Sequence, residues 1–181
     1  MSEAPGTTCP ADYARACVEA YVTGRPVPEP PEHVLFSRPS ACFVSLKKHG
    51  ELRGCIGTLE PAELDLGREI ARNAHSAAFC DPRFHRVRPD ELKDLTCSVD
   101  VLSESEPCAP ADLDPGVYGV IVRCGLRRGV LLPDLEGVDG VQQQVDIARQ
   151  KAGIGPGEPY DVERFTVTRY REGDPPRGDD S

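Results

Sequence analysis

The sequence predicts a mixed fold in which helices are interspersed with antiparallel β-hairpins. Two pairs of short alternating segments are each joined by a glycine-containing turn, at Gly50 and at Gly125, which is the pattern of a β-hairpin. Three longer segments repeat apolar or small residues at helical intervals. With 181 residues, 39% of them apolar and 28% charged, the chain is long enough for one domain or for two small subdomains that share a core.

The first predicted element is a helix over residues 11–23. Its apolar and small side chains recur at helical spacing, and Gly24 is placed to end it. Residues 25–39 contain five prolines, which are unsuited to a helix interior or an interior strand. This second segment is therefore predicted to be irregular.

A β-hairpin is predicted next in the chain. Residues 41–47 alternate between apolar and polar side chains, as a strand does. The turn at residues 48–51 contains Gly50, which supplies a positive φ at no steric cost. The returning strand is Leu52–Gly57, called the hexapeptide below.

A second helix is predicted over residues 63–79. Its inward stripe consists of small or apolar residues, namely Leu64, Gly67, Ala71, Ala74 and Ala78. Small residues allow a helix to lie close to a sheet. The pair Asp81-Pro82 then stops the helix.

The second half of the chain repeats the same kinds of element. Residues 95–102 alternate as a strand, and residues 104–115 are predicted to be a polar connector. The remaining predictions are strands over 117–123 and 128–132 around the turn at Gly125, a helix over 141–152 ended by Gly153, and a strand over 162–170.

The two hairpins share a sequence frame. Residues 50–56 and 125–131 both place an Arg-Gly pair three residues after a glycine, on the returning strand. Common turn chemistry is the favoured explanation for this repetition. If Arg-Gly belongs to the hairpin architecture, the chemical difference between the copies is Cys55 in the first and Val130 in the second.

The hexapeptide carries the strongest candidate for chemistry, the thiol of Cys55. Side chains alternate along a strand, so one face is expected to carry Leu52, Gly54 and Ile56, and the other Arg53, Cys55 and Gly57. The apolar pair indicates the core side, which places Cys55 opposite, with the Arg53 guanidinium about 7 Å along the same row. An accessible thiol near a cation is the setting of a reactive cysteine. The alternative is a small buried apolar side chain.

Other candidates for chemistry are few. His75 is the candidate base for the thiol, although a solvated helix histidine is the alternative. The spacing of His75, Cys80 and His85 matches no common metal motif, so no metal is expected. Neither a P-loop nor Gly-x-Gly-x-x-Gly occurs, so no nucleotide cofactor is expected.

The segment Asp81–Phe84 is predicted to be a rigid turn. In such a turn the aspartate accepts hydrogen bonds from backbone N–H groups and the proline fixes φ. Arg83 is expected either to project into a cleft or to pair with Asp90 or Glu91, and both alternatives stay open.

The acidic balance limits the possible partners. A net charge of −9 and a pI near 4.9 argue against a general binder of nucleic acid or of anionic membranes, because such proteins need a basic face. Arg123, Arg127 and Arg128 form the obvious local basic patch. No apolar stretch has the length of a transmembrane helix.

The cysteines predict a reduced, cytoplasmic environment. Residues 1–8 lack the apolar run of a signal peptide, and without export the eight thiols are expected to stay reduced. No Cys-x-x-Cys pair occurs, which removes the strongest zinc and thioredoxin-type signatures.

Several ordered motifs together resemble the AMMECR domain family. They are the hexapeptide, Asn-Ala and Ala-Ala-Phe within residues 73–79, Asp-Pro-Arg-Phe at 81–84, Arg-Arg-Gly-Val-Leu-Leu-Pro at 127–133, and Lys-Ala-Gly at 151–153 ahead of Arg164-Phe165. The resemblance covers residues 11–171. One departure is that Gly137-Val138-Asp139 stands where members often carry Gly-Trp-Asp, so this chain lacks that aromatic for packing or ligand stacking.

The resemblance implies an α+β fold of two subdomains built on antiparallel sheets with flanking helices, with the hexapeptide strand near a cleft. Residues 11–171 are expected to form one such domain, between a disordered lead-in, residues 1–10, and a disordered tail, residues 172–181. Residues expected at the motif or cleft are Leu52, Gly54, Ile56, Gly57, Arg83 and Arg128.

Two functions are expected from these features. The first is a cysteine-dependent enzyme in which Cys55 acts on a small substrate, Arg53 supports the thiolate or binds an anionic group, and His75 serves as base. The alternative is a non-catalytic partner or scaffold for Memo-like and radical SAM proteins. The resemblance implies those partners because prokaryotic members of the family include protein A of the AmmeMemoRadiSam system.

Overall fold

Two four-stranded antiparallel sheets with flanking helices make up the described part of the chain. The computed structural model describes residues 9–175, so most of the predicted lead-in and tail lies outside the described residues. One compact unit contains the described residues up to Val101 and again from Arg169, and the other is Leu102–Thr168. The predicted α+β fold class is confirmed. Within residues 9–175, no helix is long and apolar enough to cross a membrane.

The helices and strands have the following bounds. In chain order they are α1 (Pro10–Thr23), α2 (Val34–Ser37), β1 (Cys42–Lys48), β2 (Glu51–Gly57), α3 (Leu66–Phe79), β3 (Leu95–Leu102), β4 (Glu106–Pro107), β5 (Gly119–Cys124), β6 (Arg127–Leu131), α4 (Val141–Ala152), β7 (Asp161–Phe165) and β8 (Val167–Arg171). The first sheet has the order β2-β1-β3-β8, and the second has the order β4-β7-β5-β6.

The first unit packs one face of its sheet with α1 and α3. Alternate residues of β1 and β3 are buried together with the apolar stripes of these two helices in one hydrophobic cluster. Pro10 opens α1 and Gly24 closes it with φ of 69°, a conformation that favours glycine. The predicted helix over 11–23 is therefore confirmed, with one added residue at its start.

The second predicted helix begins later than its sequence pattern indicates. α3 starts at Leu66 rather than at residue 63, and Leu64, predicted to point inward, is 75% exposed. The Asp65 side chain accepts a hydrogen bond from the backbone N–H of Arg68 and so caps the helix. The buried carboxylate of Glu69 accepts from the backbone N–H of Glu63, which holds the preceding segment in a loop.

The β1–β2 hairpin has the predicted turn but not the predicted register. His49 and Gly50 both have positive φ, as the favoured two-residue hairpin turn requires. Leu46 pairs with Gly54 while Lys47 pairs with Leu52, so Arg53 is an extra residue, a β-bulge. Leu52 is consequently on the face of Lys47, not that of Gly54, and it is 41% exposed. The predicted shared face of Leu52 and Gly54 is therefore wrong.

The second unit is built on the β5–β6 hairpin and α4. The predicted hairpin is confirmed, with Gly125 at φ of 60° in its turn. The predicted helix over 141–152 is confirmed as α4, which ends at Gly153 with φ of 71°. Val145 and Ala148 are buried in a second hydrophobic cluster with residues of β5, β6 and β7.

The last predicted strand is two strands in two sheets. The sequence alternates without interruption over 162–170, but β7 ends at Phe165 and β8 begins at Val167. Between them, the backbone N–H of Thr166 donates to Ser103 Oγ and its carbonyl accepts from the Ser103 N–H. This break depends on a distant partner, so alternation alone does not reveal it. Short α2 and β4 likewise occupy segments predicted to be irregular.

The Arg-Gly frame of both hairpins has a packing explanation. A Cβ atom built on Gly54 would stand 2.3 Å from the carbonyl oxygen of Ala77 in α3, and one on Gly129 would stand 1.9 Å from that of Ala148 in α4. In both units the returning strand therefore contacts the helix backbone directly, which only glycine permits.

The helix residue one turn earlier repeats in the two units as well. Asn73, four residues before Ala77, donates to the Cys42 carbonyl. Gln144, four residues before Ala148, donates to the Tyr118 carbonyl. In each case a buried amide bonds the backbone where the first hairpin strand starts. This common architecture accounts for the glycines but not for the cysteine of the first copy.

Candidate functional site

Cys55 lies on the edge strand β2, paired with Ser45 of β1. Its sulfur accepts a hydrogen bond from Ser45 Oγ at 3.1 Å. The backbone N–H of Cys55 points out of the hairpin, so the two residues form a non-hydrogen-bonded pair, in which facing side chains are closest. The residue is half-buried, which leaves part of it accessible to solvent.

Asp81 holds the main chain of Cys55. One oxygen of its carboxylate, Oδ2, accepts from the Cys55 N–H at 3.0 Å, although the Asp81 side chain is only 2% exposed. Arg83 donates to the same carboxylate from its backbone N, Nε and Nη2 at 3.0, 3.0 and 2.8 Å. The hydrogen bonds from the Arg83 side chain hold the pKa of Asp81 well below its usual range, so the buried carboxylate is ionised.

Arg83 completes a cap on the free edge of the sheet. Its Nη2 stands 3.4 Å from the Cys55 carbonyl oxygen, while Asp81 accepts the Cys55 N–H. An edge strand presents unpaired backbone groups, and this acid–arginine pair takes the place of a neighbouring strand at one residue. The predicted rigid turn of Asp81–Phe84 thus acts through its first and third side chains.

Arg53 is bound elsewhere than the sequence predicts. Its Nε and Nη2 donate to the two carboxylate oxygens of Glu91 at 3.0 and 3.1 Å, and the side chain is only 12% exposed. Lys48 Nζ and the Arg88 backbone N–H also donate to Glu91. Led by the Arg53 hydrogen bonds, these donors lower the pKa of Glu91 to about 2. Among the described residues, no acceptor meets the buried Nη1 of Arg53.

Phe84 contacts both arginines through its ring. Its ring centre is 5.9 Å from the guanidinium carbon of Arg53 and 5.5 Å from that of Arg83, both within cation–π range. Arg53 and Arg83 thus belong to one cluster around the aromatic ring. Within it, Arg83 is the more accessible cation, with 54% of its side chain exposed.

His75 makes none of the contacts of this cluster, and Arg128 belongs to the other compact unit. His75 is exposed and its ring packs edge-on against Tyr21 and Phe79, with centroid separations of 4.9 and 5.2 Å. Arg128 lies in β6 of the second unit, where it pairs with Arg123. The described contacts bring neither residue to the sulfur of Cys55.

The remaining hexapeptide residues support the strand. Ile56 is partly buried against the core of the first unit. A Cβ on Gly57 would stand 2.3 Å from the Phe43 ring, so this glycine allows the ring to cross the strand. Leu52, Gly54, Ile56 and Gly57 therefore have packing or surface positions, and among the residues of this segment Cys55 remains the candidate nucleophile.

The eight cysteines differ widely in accessibility, and all are free thiols. Cys80 is exposed, whereas Cys9, Cys17, Cys42 and Cys97 are buried and Cys55, Cys108 and Cys124 are half-buried. Desolvation raises the pKa of several of these thiols, to about 12 for the buried Cys97. A guanidinium contacts the sulfur of Cys124 and not that of Cys55. Arg127 Nη2 donates a hydrogen bond to the Cys124 sulfur at 3.3 Å.

Other potential sites contain no hexapeptide residue. An open pocket of about 670 Å³ in the second unit is lined in part by Cys108, Arg123 and Tyr160, and by no hexapeptide residue. Across residues 9–175, no three His, Cys, Asp or Glu side chains are grouped closely enough to hold a metal ion. Val138 is partly buried and packs against the core of the second unit.

Three residues of the cluster are missing from the sequence-based site: Ser45, Asp81 and Glu91. Counting back from the two-residue turn pairs Ser45 with Gly54, and only the bulge moves its partner to Cys55. Asp81 was expected to bond backbone groups, but nothing local indicated the N–H of β2. Glu91 was one of two candidate partners for Arg83, and it binds Arg53 instead.

Comparison with known proteins decides the family. The family model described as AMMECR1 matches residues 11–173. The chain belongs to the AMMECR1 family. A relative from Thermotoga maritima is 52% identical over 166 residues, which cover 88% of this chain and 95% of the relative. The similarity thus extends over almost the whole described structure.

Two further comparisons bear on the length and the fold of this AMMECR1-family chain. Protein CA_C1420 of Clostridium acetobutylicum is 47% identical over 163 residues, covering 88% of this chain but 35% of that protein, so the present chain spans about a third of it. The crystal structure of the uncharacterized protein PH0010 from Pyrococcus horikoshii matches with a TM-score of 0.75 and 28% identity. That match covers 92% of this chain and 91% of the other, and it supports the α+β fold.

Proposed function

We propose that this AMMECR1-family protein is a cysteine-dependent enzyme that acts on a small substrate through Cys55. The observation that supports the proposal is the contrast between the main chain and the side chain of Cys55. Its main chain is held by a buried, ionised carboxylate, whereas the residue as a whole is only half-buried and its sulfur has a hydroxyl partner. A fixed backbone beside an accessible thiol is the preorganisation that a nucleophile requires.

The strand architecture does not itself call for a cysteine. Asp81 and Arg83 bond the backbone N–H and carbonyl of residue 55, and any side chain could stand there. The corresponding place in the second unit is taken by Val130, which is buried. Of the two equivalent positions, only the partly accessible one carries a thiol. This supports a chemical role for Cys55 over a packing role.

The contacts support a simple division of labour. The Cys55 sulfur forms a bond to an electrophilic carbon of the substrate, the bond from that carbon to its leaving group breaks, and the leaving group departs with the electron pair. The Ser45 hydroxyl supplies a hydrogen bond to the sulfur anion before the attack. The hydrogen bonds of the described residues place no base on the sulfur, so the thiol proton passes to solvent. Arg53 and His75 have no direct part in this step, since Glu91 holds the first and two aromatic rings contact the second.

Selective alkylation tests this proposal. With iodoacetamide at neutral pH, we expect Cys55 to react about tenfold faster than Cys80, although Cys80 is the more exposed thiol. Rates for individual cysteines are read by peptide mass spectrometry after timed quenching, over a series of pH values. A matched control is the Cys80→Ser variant, in which the Cys55 rate stays unchanged. Rates that simply follow exposure, with Cys80 fastest, contradict the proposal.

A scaffold for Memo-like and radical SAM proteins is the second candidate function. It is favoured by the close packing at Gly54 and Gly57, which explains two hexapeptide residues without any chemistry. Placement in the cytoplasm suits both candidates, because all eight cysteines are free thiols.

The Cys55→Ser variant separates the two candidates. Serine fits the same backbone and retains a hydrogen-bonding group toward Ser45, so we expect the melting temperature to change by less than about 2 °C. A cysteine-dependent enzyme loses its activity in this variant. A non-catalytic scaffold has no activity to lose, and its function, measured as partner binding in a pull-down with purified Memo-like and radical SAM proteins, stays undiminished.

A further inference from the structure

We propose that the substrate of the Cys55 site carries an oxyanion, a carboxylate or a phosphate, and that Arg83 binds it beside the sulfur. This inference rests on the proposed cysteine chemistry and adds the class of substrate. Its starting point is that Arg83 Nη2 is 3.4 Å from the Cys55 carbonyl oxygen, so the guanidinium adjoins the reactive residue.

Arg83 has donors left over after it has bound the protein. A guanidinium has five N–H donors. Asp81 takes one from Nε and one from Nη2, and the Cys55 carbonyl lies nearest the second N–H of Nη2. Nη1 donates to no described residue, and the side chain is half exposed. The two N–H groups of Nη1 therefore remain for an oxygen of a ligand.

Asp81 gives this arginine a fixed orientation. A surface arginine normally loses side-chain entropy when it binds an anion, which weakens the interaction. Here the buried carboxylate already holds the guanidinium through two of its nitrogens. The entropy is lost on folding rather than on binding, so an oxyanion meets a preorganised donor pair.

Arg53 does not compete for this role, in contrast to the sequence-based expectation. Glu91 occupies two of its nitrogens and the third is buried. The local charge also suits an anion on the Arg83 side, because residues 83–88 contain three arginines and one histidine and no acid, within a chain of net charge −9.

A pair of alkylating probes that differ in charge tests the inference. In both reactions the Cys55 sulfur bonds to the methylene carbon, the carbon–iodine bond breaks, iodide leaves with the electron pair, and the thiol proton goes to buffer. Iodoacetate carries a carboxylate and iodoacetamide does not. We expect the iodoacetate-to-iodoacetamide rate ratio at Cys55 to exceed that of N-acetylcysteine by about tenfold.

The test variant is Asp81→Asn combined with Arg83→Gln. Removing both charges avoids an unpaired buried carboxylate, and asparagine keeps an acceptor for the Cys55 N–H. The rate ratio is expected to fall to that of N-acetylcysteine, while the iodoacetamide rate reports whether the thiol itself is intact. Arg86→Gln is the control for the loss of one arginine charge from this loop, since Arg86 lies over the Phe79 ring. An equal loss in both variants overturns the assignment to Arg83.

The outcomes separate this inference from the proposed function. Rapid iodoacetamide labelling of Cys55 without any preference for iodoacetate leaves the cysteine chemistry standing and overturns the oxyanion site. If Cys55 reacts with neither probe, the proposed function fails, and the site is judged by binding alone. In that case the Cys55→Ser protein is titrated separately with acetate and with inorganic phosphate, and the Arg83 side-chain ¹⁵N resonances are followed by NMR. Saturable shifts that disappear in the double variant support the site and show which oxyanion is preferred, and their absence refutes it.

Discussion

Gly54→Ala is expected to destabilise the first unit by about 3 kcal/mol or more, which lowers the melting temperature by roughly 6 to 12 °C. The added methyl group would stand 2.3 Å from the carbonyl oxygen of Ala77, well inside van der Waals contact. That oxygen belongs to the backbone of α3, so it moves only if the helix moves away from β2. Thermal unfolding followed by circular dichroism measures the effect.

A glycine without such a neighbour provides the control. Gly116→Ala places its methyl group 3.4 Å from a carboxylate oxygen of Asp114, an ordinary contact with the end of a flexible side chain. Gly116 is also exposed, so we expect a change within about 0.5 kcal/mol. A Gly54→Ala protein as stable as Gly116→Ala would show that β2 and α3 are not in direct backbone contact.

Glu91→Gln is expected to have an effect of similar size, because it leaves a buried guanidinium without its counter-ion. Both oxygens of the carboxylate accept from Arg53, and Lys48 adds a third charged donor. Breaking a buried pair by removing one partner costs about 3–5 kcal/mol. Urea unfolding at pH 7 measures the loss.

The Glu91–Arg53 pair makes the free energy of unfolding depend on pH. The direction of this dependence follows from the lowered pKa of Glu91. Its pKa is lowered to about 2 in the folded protein from an ordinary value of 4.5. The wild-type protein therefore has the full stabilisation above pH 4.5 and loses it as the pH falls toward 2. Glutamine does not titrate, so the stability difference between wild type and variant is expected to narrow by on the order of 3 kcal/mol over that range.

Asp90→Asn is the matched control for Glu91→Gln. Asp90 is the neighbouring residue, but its pair with Arg88 is at 3.4 Å and both side chains are mostly exposed. Such surface pairs contribute little to stability. We expect a change within about 0.5 kcal/mol at pH 7. If both variants lose the same stability, then burial of the Glu91–Arg53 pair is not what stabilises it.

The site that emerges differs in composition from the one the hexapeptide suggests. Cys55 keeps its central position, but its neighbours are Ser45, Asp81 and Arg83 rather than Arg53 and His75. The predicted arginine–cysteine row depends on strict alternation along β2, and the bulge at Arg53 interrupts it. Bulges are common beside functional sites because one inserted residue redirects the side chains around it.

Regular elements were predictable because their signals are local. The helix over 141–152 and its closing glycine, and the turn at Gly50, follow from side-chain periodicity and from the need for positive φ. The same reasoning fails where a residue far away in the sequence determines where a strand ends. The continuous alternation over 162–170 conceals the break at Thr166, which Ser103 stabilises from 63 residues away.

Sequence motifs were enough to determine the family and the two hairpin-and-helix units, and they singled out Cys55 as the candidate nucleophile. Spacing and turn chemistry depend on neighbours along the chain, and the order of the motifs is visible directly in the sequence. Which groups surround the thiol was decided by long-range contacts: Asp81 reaches the N–H of Cys55 across 26 positions, and Glu91 holds Arg53 across 38. A buried carboxylate has to be paired with a cation, and which arginine lies beside it is decided only when the chain folds.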